Sequence, residues 1–226
     1  MALDSANFKT RTITAFVFAI VMLAGLLVNS WSFVILFCLI HFGCWCEYVK
    51  LVKKIRPANP FLYFAGGLLY ITLPFFLLIW IRCGTANLLP VKGEYLKVIP
   101  CGIIFSIWIN DTMAYIVGSF IGKTPLSKIS PKKTIEGTTG GALLAVVVIT
   151  LIGWLANFYT IKDWIMISLI CAVFGTAGDL IESKLKRLAG VKDSGKVMPG
   201  HGGFLDRFDS LLVAVPFVWL YIYFFM

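Results

Sequence analysis

Charged side chains are scarce: Asp, Glu, Lys and Arg together make up 14% of the 226 residues, against roughly 25% in ordinary soluble domains. With 59% of residues apolar and a mean hydropathy of +0.90, that shortage excludes a water-soluble globule of this size, which could not bury so much apolar surface. It excludes a disordered chain for the same reason. No period of about 20 to 50 residues recurs, which argues against a solenoid. Histidine occurs only at His41 and His201, too few for a His-based metal cluster, and His41 on an apolar run reads as a bonded packing residue. The six cysteines, at 38, 44, 46, 83, 101 and 171, lie mostly in apolar runs and form no C-x-x-C pair. They therefore suggest neither a disulfide framework nor a zinc site, and Cys44 and Cys46 read as packing residues. A Walker loop, a G-x-S-x-G elbow and an H-E-x-x-H motif are all missing. A net charge of +9 suggests a nucleic-acid partner only when aromatics interleave a basic patch, and here they do not.

What is abundant is apolar helix. A bilayer core about 30 Å thick takes roughly 20 apolar helical residues, and seven segments qualify, near 12–29, 31–48, 61–81, 97–121, 139–159, 163–182 and 209–225. The expected fold class is all-α: a polytopic integral membrane protein with about seven transmembrane helices. Three spans fall in an N-terminal part, 1–96, and the rest in a region 97–226 that would carry the chemistry on loops 122–138 and 183–208. The first two spans make either a tight hairpin or one bent element. No small-x-small cleavage site follows the first, so it is expected to be retained. Sixteen of the twenty Lys and Arg fall on the side of the N-terminus and the two long polar loops, and four (Arg82, Lys92, Lys97 and Lys162) on the other. The positive-inside rule then places the N-terminus and both loops in the cytoplasm.

Seven of the eleven acids, at 111, 136, 179, 182, 193, 206 and 209, lie after residue 110 in or beside the cytoplasmic half. Asp4, Glu47, Glu94 and Asp163 look peripheral. Asp111 sits within the fourth span, where an ionised carboxylate costs on the order of 2.5 to 3.5 kcal/mol, and shares a helix face with Tyr115. Asp179 lies near the inner end of the sixth span on the same side as Glu182 and Ser183. Asp206 and Asp209, three apart at the entrance of the last span, would share a face. Carboxylate oxygens in this number suit Mg²⁺, which completes its shell with phosphate oxygens and water. Lys186, Arg187, Lys192, Lys196 and Arg207 would neutralise a polyphosphate. In the 122–138 loop, Ser130, Lys132, Lys133 and Thr134 precede Gly137, Gly140 and Gly141, whose N–H groups could line an anion site at a helix N-terminus.

At these residues the chain closely resembles the phosphatidate cytidylyltransferase (CDP-diacylglycerol synthase) family. The resemblance runs through Ser183, Leu185, Lys186, Arg187, Lys192, Asp193, Gly195, Met198, Pro199, His201, Gly202, Gly203, Phe204, Asp206, Arg207, Phe208 and Asp209, with Met198 as a mild departure. It continues in Asn110-Asp111-Thr112 with Ala114-Tyr115, and in Ser130-Pro131-Lys132-Lys133-Thr134 with Glu136-Gly137 and Gly140-Gly141. It covers 110–209 well and the first hundred residues only as generic helices. Family chains often carry further N-terminal spans, so a compact member is expected.

The resemblance implies that CTP and phosphatidate give CDP-diacylglycerol and pyrophosphate, with Mg²⁺ held by Asp179, Asp206 and Asp209 and a second cation allowed. Catalytic roles are expected for Asp111, Asp179, Lys192, His201, Asp206 and Asp209. Substrate contacts are expected from Tyr115, Ser130, Lys132, Lys133, Thr134, Ser183, Lys186, Arg187, Gly202, Gly203 and Arg207. The expected partners are CTP, phosphatidate and the lipid bilayer, with a homodimer allowed and no nucleic acid. The expected location is a bacterial inner (cytoplasmic) membrane with the site facing the cytoplasm. The D-G-x-x-A-R pattern of CDP-alcohol phosphotransferases is missing. A CTP-dependent polyprenol or phytol kinase is the alternative within related chemistry, and a cation transporter the alternative from another class. The transporter reading would require a polar stripe reaching the outer side, which these helices lack.

Overall fold

The structure is a computed structural model and describes residues 5–84, 97–195, 197 and 202–226, with side chains from residue 12 onward. Among the described residues the chain forms seven helices: α1 (Ser5–Leu27), α2 (Ser30–Ile55), α3 (Pro60–Cys83), α4 (Val98–Ile121), α5 (Ile135–Leu155), α6 (Ile161–Leu188) and α7 (Leu205–Phe225). Helices α2 to α7 are long and apolar enough to cross a membrane, and Thr12–Leu27 of α1 is a shorter apolar stretch. The protein is an all-α polytopic membrane protein.

Local chemistry sets the helix ends. The first two helices form a hairpin rather than one bent element, because Asn29 is fully extended and its side chain accepts from Ser32 N while Ser32 Oγ accepts from Asn29 N, a reciprocal N-cap. Helix α5 starts four residues before the sequence expectation because Thr134 caps it, its Oγ1 accepting from Gly137 N at 3.1 Å. Helix α6 runs past the expected end at 182 to Leu188, where Gly190, at φ +67°, closes it with a left-handed turn. Within α3, Pro74 has no N–H to offer the carbonyl one turn back, and the preceding residues Leu68–Thr72 widen into a π turn.

The chain divides into two compact units. The first comprises Met1–Phe75 and Leu185–Phe208. Its core is a run of rings: Phe37 packs against Phe33, Phe75 and Phe208 with centroids 4.5 to 6.4 Å apart. His41 is bonded, as expected, its Nε2 3.1 Å from Thr72 Oγ1, which also accepts from Trp45 Nε1.

The second unit comprises Phe76–Lys184 and Asp209–Met226. There α4 and α5 run antiparallel in backbone contact, with Gly137 and Gly141 of α5 against Ala114 and Gly118 of α4. Trp164 of α6 fills the space left by Gly102 and Gly153. Gly178 of α6 meets the Asp209 carbonyl of α7, and Phe174 stacks on Phe217 at 3.6 Å. Small residues permit such close approach where burial of apolar surface drives little association in lipid.

A methyl group at Gly141 would lie 2.7 Å from Ala114 N, and backbone cannot step aside. Gly141→Ala should therefore destabilise the protein by about 1–3 kcal/mol. Gly66→Ala, which meets only the Tyr48 hydroxyl at 3.8 Å, should be neutral or stabilising by up to about 1 kcal/mol. Thermal unfolding of both variants in detergent checks the contrast.

Candidate functional site

In the second unit the 122–134 loop is shaped by short-range bonds. Leu126 N donates to Lys133 O, Ile135 N to Thr124 O, and Lys133 N to Ser130 O. Glu136, in the first turn of α5, accepts from the N–H groups of Lys123 and Thr124 and from Thr124 Oγ1. This folding delivers Lys133 to α6, where its Nζ lies 2.8 Å from Asp179 Oδ2. Burial works against the charged ammonium, but Asp179, with Asp111 of α4 and Asp209 of α7, more than offsets it and holds Lys133 above its ordinary value of 10.5. Asp209 is 7% exposed and also feels Asp179 and Asp111. Asp179 thus pairs with Lys133 directly, and the charges of Asp111 and Asp209 act on the same ammonium.

Other expected residues of this unit have different surroundings. Tyr115 is 78% exposed, Lys132 is exposed and Ser183 is buried. The expected anion site at the α5 N-terminus is corrected: Gly137 N is used by Thr134, and Gly137 and Gly141 are buried against α4, so these glycines serve packing. Asp163 is not peripheral either, since it is buried in the first turn of α6 and accepts from Thr160 and from the Tyr221 hydroxyl.

In the first unit, Asp206 organises the end of the 183–208 segment. Its Oδ1 pairs with Lys186 Nζ at 2.6 Å, and its Oδ2 accepts from Ser194 N, Ser194 Oγ and Gly203 N at 2.8 to 2.9 Å. Gly202, at φ +85°, is a position that only glycine fills easily, and a Cβ there would meet the Asp206 carboxylate. Arg187 donates to Val191 O, while Lys192 and Arg207 are exposed. His201 lies outside the described residues, as do Lys196, Met198 and Pro199.

Glu47 is the residue that the sequence reading missed. Placed among the peripheral acids, it is 2% exposed on α2. Its oxygens accept from Ser194 Oγ at 2.7 Å, Leu205 N at 2.9 Å and Phe204 N at 3.0 Å. The single Ser194 proton therefore stands between two carboxylates, Glu47 and Asp206, and serves one at a time. A pointer was available in the sequence, because an acid between apolar and aromatic neighbours in a span must find donors somewhere.

Among the described residues, no three His, Cys, Asp or Glu side chains form a group that would hold a metal unaided. Of the expected ligands, Asp179 and Asp209 share the cluster around Lys133, whereas Asp206 belongs to the first unit and is engaged by Lys186, Ser194 and Gly203. A hard divalent ion commonly takes only one or two protein carboxylates, so Asp179 and Asp209 are the expected ligands left to hold one.

The profile of the Cytidylyltransferase family matches residues 9–100 and 92–225. Among curated relatives, a phosphatidate cytidylyltransferase of Bacillus subtilis (strain 168) is 48% identical over 115 residues, which cover 50% of this chain and 43% of that protein. One of Staphylococcus haemolyticus is 45% identical over 113 residues, and one of Staphylococcus aureus (strain COL) 46% identical over 113, each covering 49% of this chain and 43% of the relative. The matched part is thus less than half the length of these relatives.

The raised value of Lys133 carries a sign. Its contribution to stability is complete below 10.5 and is lost as pH rises through the folded-state value. Lys133→Met should remove about 1 kcal/mol for this partly exposed pair, lowering the thermal midpoint by about 2–4 °C at neutral pH. Lys133→Arg should keep its charge and lose less than wild type above the Lys range. Unfolding curves across pH compare the three.

Proposed function

The chain belongs to the cytidylyltransferase family, and on that premise we propose that it transfers the cytidylyl group of CTP to phosphatidate, forming CDP-diacylglycerol and pyrophosphate. The observation that carries the proposal is the Lys133–Asp179 pair, whose ammonium also feels the charges of Asp111 and Asp209. It sets charged groups among membrane helices, where they are costly unless they serve a function. The names of the relatives support the same reading.

In the proposed reaction an ionised phosphate oxygen of phosphatidate attacks the α-phosphorus of CTP in line. A new phosphoanhydride bond forms, the bond from the α-phosphorus to the bridging oxygen breaks, and pyrophosphate leaves with the electron pair. The attacking oxygen needs no deprotonation, so the chain supplies neither a nucleophile nor a general base. Its work is positioning and charge neutralisation. Lys133, held charged by its neighbours, faces one phosphate, and the exposed Lys132 screens another; in the first unit the exposed Lys192 and Arg207 carry the sign of charge that a phosphate needs. Asp179 and Asp209 are the residues that would hold Mg²⁺, whose charge would offset that of the nucleotide phosphates. Asp206 keeps Lys186 and the turn at Gly203 in place. The excess of basic residues on the loops at 122–138 and 183–208 supports a cytoplasmic site in a bacterial inner membrane.

With CTP labelled at the α-phosphorus, phosphatidate and Mg²⁺, the purified protein should place label in a lipid product, and label at the γ-phosphorus should leave as pyrophosphate. Lipid labelled from the γ position would instead identify a kinase. Asp179→Asn should lower turnover by at least about a hundredfold while the protein still inserts. For orientation, Lys128→Cys and Lys162→Cys in a cysteine-free background should react with an impermeant maleimide from opposite sides of the membrane.

A further inference from the structure

We infer that Glu47 is a positioning residue for the 183–208 segment: its carboxylate, carried by α2, locks Ser194 to the start of α7 and thereby sets where Lys186 and Arg207 stand. Three observations carry this. Glu47 is buried, and all three of its donors, Ser194 Oγ, Phe204 N and Leu205 N, lie about 150 residues away in sequence. Gly195 and Gly203 press so closely on its carboxylate that a Cβ at either would overlap it, so the backbone at these two positions is shaped around Glu47. Ser194 also donates its backbone N–H to Asp206, the partner of Lys186, which links Glu47 to a basic group through two residues. The inference rests on the proposed reaction for the role of those basic groups, and on geometry alone for the lock.

A glutamine at 47 keeps the shape but turns one acceptor into a donor facing an N–H. The test uses the full chain in nanodiscs, comparing wild type with Glu47→Gln, Glu47→Asp and Ser194→Ala. Two quantities are read: kcat and KM for CTP with phosphatidate per folded molecule, and, without substrate, the rate of tryptic cleavage after the exposed Lys192. Glu47→Gln should lower kcat about tenfold or more, the weight of one hydrogen bond to a charged group. It should also speed cleavage, and Glu47→Asp should recover part of both. Should Glu47→Gln fail to fold, Ser194→Ala, which leaves both N–H bonds to Glu47, is read by the same criteria. Faster cleavage with kcat and KM within twofold of wild type would make Glu47 a structural cap and overturn the inference, as would unchanged cleavage in a folded variant. A wild-type protein that turns over no phosphatidate, yet whose variants are cleaved faster, would instead sink the reaction while leaving the lock intact.

Discussion

A carboxylate carried into a membrane helix needs hydrogen-bond or ionic donors supplied by the chain, because lipid supplies none. That constraint explains most of the polar structure here. Asp179 has Lys133, Asp206 has Lys186, Ser194 and Gly203, Glu47 has Ser194 and the first N–H groups of α7, and Asp163 has Thr160 and Tyr221. In each case the partner comes from a loop, a helix end or a neighbouring helix. The buried acids thus hold the ends of the loops that supply their donors.

Close helix contact is the second condition. Lys133 reaches Asp179 because the loop before α5 is tightly bonded, and because α5 lies on α4 with glycine between them. The glycines at 137 and 141 are thus structural in a strict sense, letting backbones meet so that charged side chains nearby converge. In the sequence the same glycines resemble an anion-binding turn, since a flexible backbone and a close-packed one call for the same residue.

Much of the site was legible before any coordinates. The acids and bases after residue 110 stand out against an apolar background, which drew attention to Asp111, Asp179, Asp206 and Asp209 and, in a separate loop, to Lys133; that Lys133 pairs with Asp179 was not among the expectations. Glu47 was not legible as part of it. Its donors lie far along the chain, two of them are backbone N–H groups of any residue type, and local spacing carries no trace of either. The engagement of Asp206 within its own segment was hidden likewise, because an acid at a helix entrance reads equally as a cap and as a ligand.

Composition and hydropathic run length alone determined that this protein is a bundle of membrane-crossing helices, since no other backbone form satisfies itself in lipid over such lengths. Local signals such as Thr134, Asn29 and Gly190 set several helix ends, two of which lie four and six residues from where the apolar runs alone had placed them. Only the tertiary structure decided which carboxylate meets which donor. A buried charge takes its partner from whatever folding brings within about 3 Å, and that is a matter of three-dimensional packing between residues that the chain holds far apart.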